Sequence, residues 1–195
     1  MNFYFFCYEH LKRKKISILK KKKFHSFGKK SIIEKPYLQL SNTKKISIGE
    51  DVTILKGCRL SVYGDFNDKS IIIGNRCYIG FNFTALAVSK GKIEIGDDVL
   101  IASNVLITNE NHGIDPVSNV PYMDQNLTYN NVCIDDGCWI GEKVCILPGV
   151  KIGKKSIIGA GSVVTRSIPD YSIAVGNPAR VIKKYNFERN CWEAV

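Results

Sequence analysis

Three histidines and seven cysteines are the side chains of this 195-residue chain best suited to take a proton or attack an electrophile near neutral pH. His10 and His25 stand among lysines near the N-terminus. His112 stands elsewhere, in a stretch holding Asn111, Gly113, Asp115, Pro116, Pro121 and Tyr122. An imidazole presented on a loop of that kind is the natural candidate for a general base. The cysteines are odd in number and scattered, with no Cys-x-x-Cys pair, so neither a disulfide framework nor a zinc site is expected. No flavin or nicotinamide motif is present either. Further along, Trp139 sits in Cys138-Trp-Ile-Gly141, and Thr165, Arg166, Arg180 and Lys183 form a polar, cationic C-terminal set.

The elements that would position these groups follow from one period. Aliphatic residues recur every six positions at Ile134, Ile140, Ile146, Ile152, Ile158 and Val164, and upstream at Ile95, Ile101 and Ile107. Earlier the same spacing runs Ile48, Ile54, Leu60, then Ile73 and Ile79. Six is neither the 3.6 of a helix nor simple alternation. It fits short strands joined by tight turns, three to a triangular coil, with coils stacked into a parallel β-solenoid. Cys58, Cys77 and Cys138 then fall in the fourth place after an aliphatic, where a small buried side chain is wanted, so they are expected in the core. Trp139, one place before an inward Ile, is expected to face outward. Two breaks in the register place loops: a bulge near residues 89–92, and an excursion over 109–131 that carries His112.

Charge divides the chain. Its formal net charge is +10, yet residues 1–35 hold eleven Lys/Arg against two acids, so the remaining body is nearly neutral. A nucleic-acid role is therefore not expected. Aromatic residues at positions 3–8 followed by lysine clusters suit peripheral contact with an anionic membrane through residues 1–30. No apolar run is long enough to span a bilayer, and the order of charge and apolar residues is the reverse of a secretory signal. The expected address is cytoplasmic, with peripheral attachment at the inner membrane face as an option. The expected organisation is a basic aromatic arm (1–45), a solenoid domain (46–183) and a short tail (184–195).

The hexad run, the loop histidine and the segment Ile158-Gly-Ala-Gly-Ser-Val-Val-Thr165…Ile168-Pro…Gly176-Asn-Pro-Ala-Arg180 resemble the left-handed β-helix acyltransferases. Within them the chain is similar to the maltose and galactoside O-acetyltransferases, and especially to those of capsule, lipopolysaccharide and exopolysaccharide biosynthesis. The resemblance implies an all-β, left-handed parallel β-helix, a homotrimer with active sites between subunits, and acetyl-CoA as acyl donor with no metal. It implies His112 as the catalytic base and Asn82 as a contact to the acceptor hydroxyl. It also implies a coenzyme groove past Trp139, Gly141 and Ala160, with Thr165, Arg166, Arg180 and Lys183 toward the nucleotide phosphates. Lys183 stands where relatives often have Arg. A related fold, the γ-carbonic anhydrases, needs three zinc-binding histidines, and here two of the three precede the solenoid.

The function expected is O-acetylation of a sugar hydroxyl, by direct transfer in a ternary complex since no nucleophile stands out. Glu110, Asp115 or a backbone carbonyl could orient His112. Serine, xenobiotic or amino-sugar N-acetylation on the same fold, and a non-catalytic scaffold, are the alternatives. Serine acetyltransferases carry a large helical N-terminal domain, and amino-sugar N-acyltransferases often carry a preceding βαβ domain; neither is seen here.

Overall fold

The computed structural model describes residues 24–64, 69–88 and 90–195. Most of its strands fall into three sheets, parallel from coil to coil, that form the faces of a triangular solenoid. Face A begins Ser26–Phe27, Ile46–Ile48 and Ile71–Ile73; face B begins Ile32–Ile33, Thr53–Ile54 and Tyr78–Ile79; face C begins Gln39–Ser41, Arg59–Tyr63 and Thr84–Val88. The chain climbs A, B, C and repeats.

The period-six aliphatics explain the register. Ile48, Ile73, Ile95, Ile134 and Ile152 pair coil on coil along face A. Ile54, Ile79, Ile101, Ile140 and Ile158 do so along face B. All these residues are buried. Each coil thus buries its apolar face only because another coil covers it, which is why the repeat has to run unbroken.

The fourth-place residues line the same core and add a second bond between coils. Cys77 donates from Sγ to Gly96 O at 3.1 Å, and Cys138 to Gly153 O at 3.1 Å. Ser31 does likewise from Oγ to Gly49 O at 2.6 Å. Burial pushes the Cys77 and Cys138 thiols up to about 11. They are packing residues, as expected, and not nucleophiles.

Three boundaries differ from the sequence expectation. The solenoid starts inside the segment assigned to the arm: Phe27 pairs with Ile48, Ile33 with Ile54 and Leu40 with Leu60, so residues 26–41 are the first coil. The tail is also ordered. Ser172–Gly176 runs antiparallel to Ala179–Asn186, and this to Cys191–Ala194, extending face B beyond the last coil. Tyr185 packs edge-on against Phe187 and Trp192 to hold that hairpin. The rest of the basic arm, residues 1–23, lies outside the described residues. A further insertion, unmarked by the hexads, separates Tyr63 from Ile71 at the C/A corner. That corner also carries the turn at residues 90–92, where Gly91 N donates to Val88 O, and the 109–131 excursion.

Candidate functional site

The excursion that carries His112 is built from its root. Asn109 is fully buried, and its Oδ1 accepts from Val88 N of the coil below at 2.9 Å, while its carbonyl accepts from Asn130 N at 2.9 Å. One residue therefore ties both ends of the loop to the solenoid, its side chain to the coil below and its carbonyl to the returning strand. Above it, Glu110–Asn111 pairs antiparallel with Thr128–Tyr129. His112 follows at once, exposed to solvent. Further out, Gln125 braces the tip: its Oε1 accepts from Asp115 N and its Nε2 donates to Asp115 O and Val120 O, each at 3.0 Å. Ile114 and Val117 are more than four-fifths exposed on that tip.

Of the groups considered for orienting His112, Asp115 accepts from Val117 N in its own turn at 3.0 Å. The Oε2 atom of Glu110 is shut off from solvent and has no hydrogen-bond partner among the described residues.

Asn82 lies at a different corner. It occupies the B/C turn with φ 56°, a left-handed conformation that Asn tolerates better than most residues. Asn104, one coil up, has φ 61°. Asn82 donates from Nδ2 to Asn104 Oδ1 at 3.1 Å, and Asn104 from Nδ2 to Glu142 Oε1 at 3.3 Å. Asn82 precedes strand Thr84–Val88, whereas the root of the His112 loop is bonded to Val88 at its far end. Six residues at ~3.3 Å each put those two backbone points roughly 20 Å apart along face C.

Face B carries the remaining groups. Tyr78, Leu100, Trp139, Ile157 and Ile173 pair coil on coil one place before the buried residues, forming an outward apolar ladder. Trp139 is 50% exposed and Leu100 42%. Ile173 pairs with Lys183 and Val175 with Arg180, so the ladder ends in two exposed cations. At the B/C rim, a Cβ on Gly141 would come within 2.6 Å of Ala160 N, so glycine is required there for the coils to stack.

Sequence comparisons agree with this architecture. Models of the bacterial transferase hexapeptide (six repeats) and of the hexapeptide repeat of succinyl-transferase match residues 131–166 and 70–109. A protein of Escherichia coli (strain K12), provisionally named lipopolysaccharide biosynthesis O-acetyl transferase WbbJ, is 37% identical over 163 residues, 79% of each chain. The galactoside O-acetyltransferase of Lactococcus lactis subsp. lactis (strain IL1403) is 36% identical over 157 residues, 79% of this chain and 71% of that one. This chain belongs to the hexapeptide-repeat acyltransferases. The acyltransferase has their left-handed parallel β-helix. Among solved structures, AntD, an N-acyltransferase from Bacillus cereus in complex with dTDP and 3-hydroxybutyryl-CoA, aligns with a TM-score of 0.73 at 27% identity, covering 88% of each chain.

The acyltransferase brings Trp139, Gly141, Ala160, Arg180 and Lys183 together on face B and its rim. It leaves Thr165 and Arg166 beyond strand Val163–Val164, at the far end of face C, and keeps Asn82 and the His112 root at opposite ends of that face. Asn104 and Glu142, which touch Asn82's relay, carried no sequence signal. Their 22- and 38-residue spacings become meaningful only once the coil lengths are known.

Proposed function

We propose that this acyltransferase moves an acetyl group from acetyl-CoA to a sugar hydroxyl in surface-polysaccharide assembly, with His112 as general base. The observation that carries this reading is the histidine itself. It stands exposed on a loop whose two ends Asn109 clamps to a rigid solenoid. The names of the E. coli and L. lactis relatives support a sugar-linked hydroxyl acceptor.

In the proposed reaction His112 takes the proton of the acceptor hydroxyl as its oxygen attacks the thioester carbonyl. The C–O bond forms, the C–S bond breaks, and the departing thiolate recovers the proton from His112. Transfer is direct, in a ternary complex: Cys58, Cys77 and Cys138 are buried in the core and offer the thioester no nucleophile. Asn82 bonds the acceptor. Trp139, Gly141 and Ala160 flank the pantetheine, while Arg180 and Lys183, joined by Thr165 and Arg166, meet the phosphates. Since one subunit holds Asn82 and His112 at opposite ends of face C, the site forms between subunits of a homotrimer. Residues 1–30 would hold the enzyme at the cytoplasmic membrane face, beside a lipid-linked acceptor.

The test is thiol release from acetyl-CoA by the full chain across a panel of free and glycosidic sugars, with mass detection of the acetylated product. Release that depends on sugar, from a particle of trimeric mass, is expected. No release with any hydroxyl acceptor would overturn the reading.

A second reading has its own support. AntD is an N-acyltransferase, and this chain covers 88% of it, which leaves little of AntD for a preceding nucleotide-binding domain. Absence of such a domain therefore does not separate amino-sugar N-acylation from O-acetylation, contrary to the sequence expectation.

A further inference from the structure

The B/C corner contains a hydrogen-bonded row whose polarity is set at one end. Glu142, as a carboxylate, can only accept. Its Oε1 therefore turns the Asn104 amide so that nitrogen faces Glu142, at 3.3 Å. The Asn104 oxygen then faces Asn82 and accepts from Asn82 Nδ2 at 3.1 Å. That leaves Asn82 Oδ1 pointing down the column, into the space that a side chain at position 57 would fill; Gly57, at φ +80°, leaves it open. The Asn82 oxygen thus faces the coil below, while its nitrogen, bonded to Asn104 through one N–H, has a second N–H to offer a ligand. All three side chains are exposed, so the row is open to an incoming molecule.

This has a consequence for which nucleophile can be used. A hydroxyl oxygen has two lone pairs, so one can accept from Asn82 while the other attacks. An amine nitrogen has one lone pair, and a bond from Asn82 would occupy the pair needed for attack; its ammonium form has none. We propose that Asn104 and Glu142 are positioning residues that fix Asn82 as a hydrogen-bond donor to the acceptor atom and so select hydroxyl over amine. The inference rests on the reading of Asn82 as an acceptor contact.

Two matched pairs of probes test it: glucose with glucosamine, and galactose with galactosamine, each with acetyl-CoA and thiol detection, the product being assigned as ester or amide by its lability to hydroxylamine. The variants are Asn104→Gly, which suits the positive φ and removes the amide, Glu142→Gln, which keeps shape and removes the fixed polarity, and Asn82→Gly. In the wild type the hydroxy sugar has the higher kcat/KM. Asn104→Gly should lower the hydroxyl-to-amine ratio by about tenfold, and Glu142→Gln by less, with KM for acetyl-CoA and melting temperature unchanged. A structural role alone would move both sugars together. An unchanged ratio in both variants, with Asn82→Gly severely impaired, would overturn the relay while leaving the role of Asn82 standing. Full activity of Asn82→Gly would overturn the acceptor contact itself. A wild type that prefers the amino sugars, or acetylates neither, would overturn the inference as well.

Discussion

Two corners of the solenoid use the same left-handed turn with different polar partners. At the A/B corner, Arg76 and Asp98 have φ near +55°, as Asn82 and Asn104 do at the B/C corner. Yet at A/B the polar side chains turn inward onto backbone. Asn75 Oδ1 accepts from Glu50 N at 2.9 Å, Asp97 Oδ1 from Asn75 N at 2.7 Å, and Asp136 Oδ1 from Asp97 N at 2.8 Å. Each coil caps the turn of the coil below, and Arg76 closes the row with bonds from Nε and Nη2 to the two oxygens of Asp98, both at 2.7 Å. At B/C one such cap is present, Ser103 Oγ accepting from Phe81 N at 3.2 Å, and the left-handed residues Asn82 and Asn104 are joined amide to amide where A/B has an ion pair. The first corner caps a backbone N–H in three successive turns and closes on an ion pair; the second has one cap and a row of amides that ends on Glu142. The C/A corner, which accepts every long insertion among the described residues, carries the His112 loop.

The sharpest break of this contrast pairs a loop variant with an A/B variant. His112→Ala should lower kcat by about 10²-fold or more with KM for acetyl-CoA and the melting temperature held, because the side chain is exposed. Asp97→Ala should do the reverse. It leaves Asn75 N without its partner, costs about 1–2 kcal/mol, and lowers the melting temperature by a few degrees with turnover intact. Equal loss of activity in both would erase the distinction.

A smaller effect lies in acid. The N–H and amide of Asn75, followed by Arg76, hold the Asp97 carboxyl below its usual range, and Arg76 does the same for Asp98. A depressed carboxyl contributes stability that is present above its unfolded-state value and is lost as pH falls through the folded one. Melting temperature should therefore drop below about pH 4, and Asp97→Asn should flatten that part of the curve. A wild-type profile matched by the variant would show that the ladder is not the source.

How much of this was legible follows from what repetition can encode. Ile134 through Val164 announced the coils, because stacking forces one aliphatic at each sixth place. The first coil escaped because its core residues, Phe27, Ile33 and Leu40, are spaced six and then seven, with Lys35-Pro36 in the break and a Phe in an aliphatic slot. The terminal hairpin escaped because Val181, Lys183 and Tyr185 alternate with period two, against the preceding period of six. His112, Trp139 and the cations could be singled out by type. The Asn82–Asn104–Glu142 row could not, since it depends on register between coils.

The mildest consequence concerns thiols. With Cys77 and Cys138 pushed up to about 11 by burial, iodoacetamide near neutral pH should label exposed Cys191 first among the described cysteines. Rapid labelling of Cys138 in the folded protein would contradict the packed core.

The most direct measurement is the pH dependence of kcat/KM for thiol release, in the wild type and in His112→Ala. If His112 is the base, the wild type loses activity toward acid through a single ionisation, and that limb is absent from the residual activity of the variant. The same limb in both proteins, or wild-type turnover in His112→Ala, would show that the proton goes elsewhere.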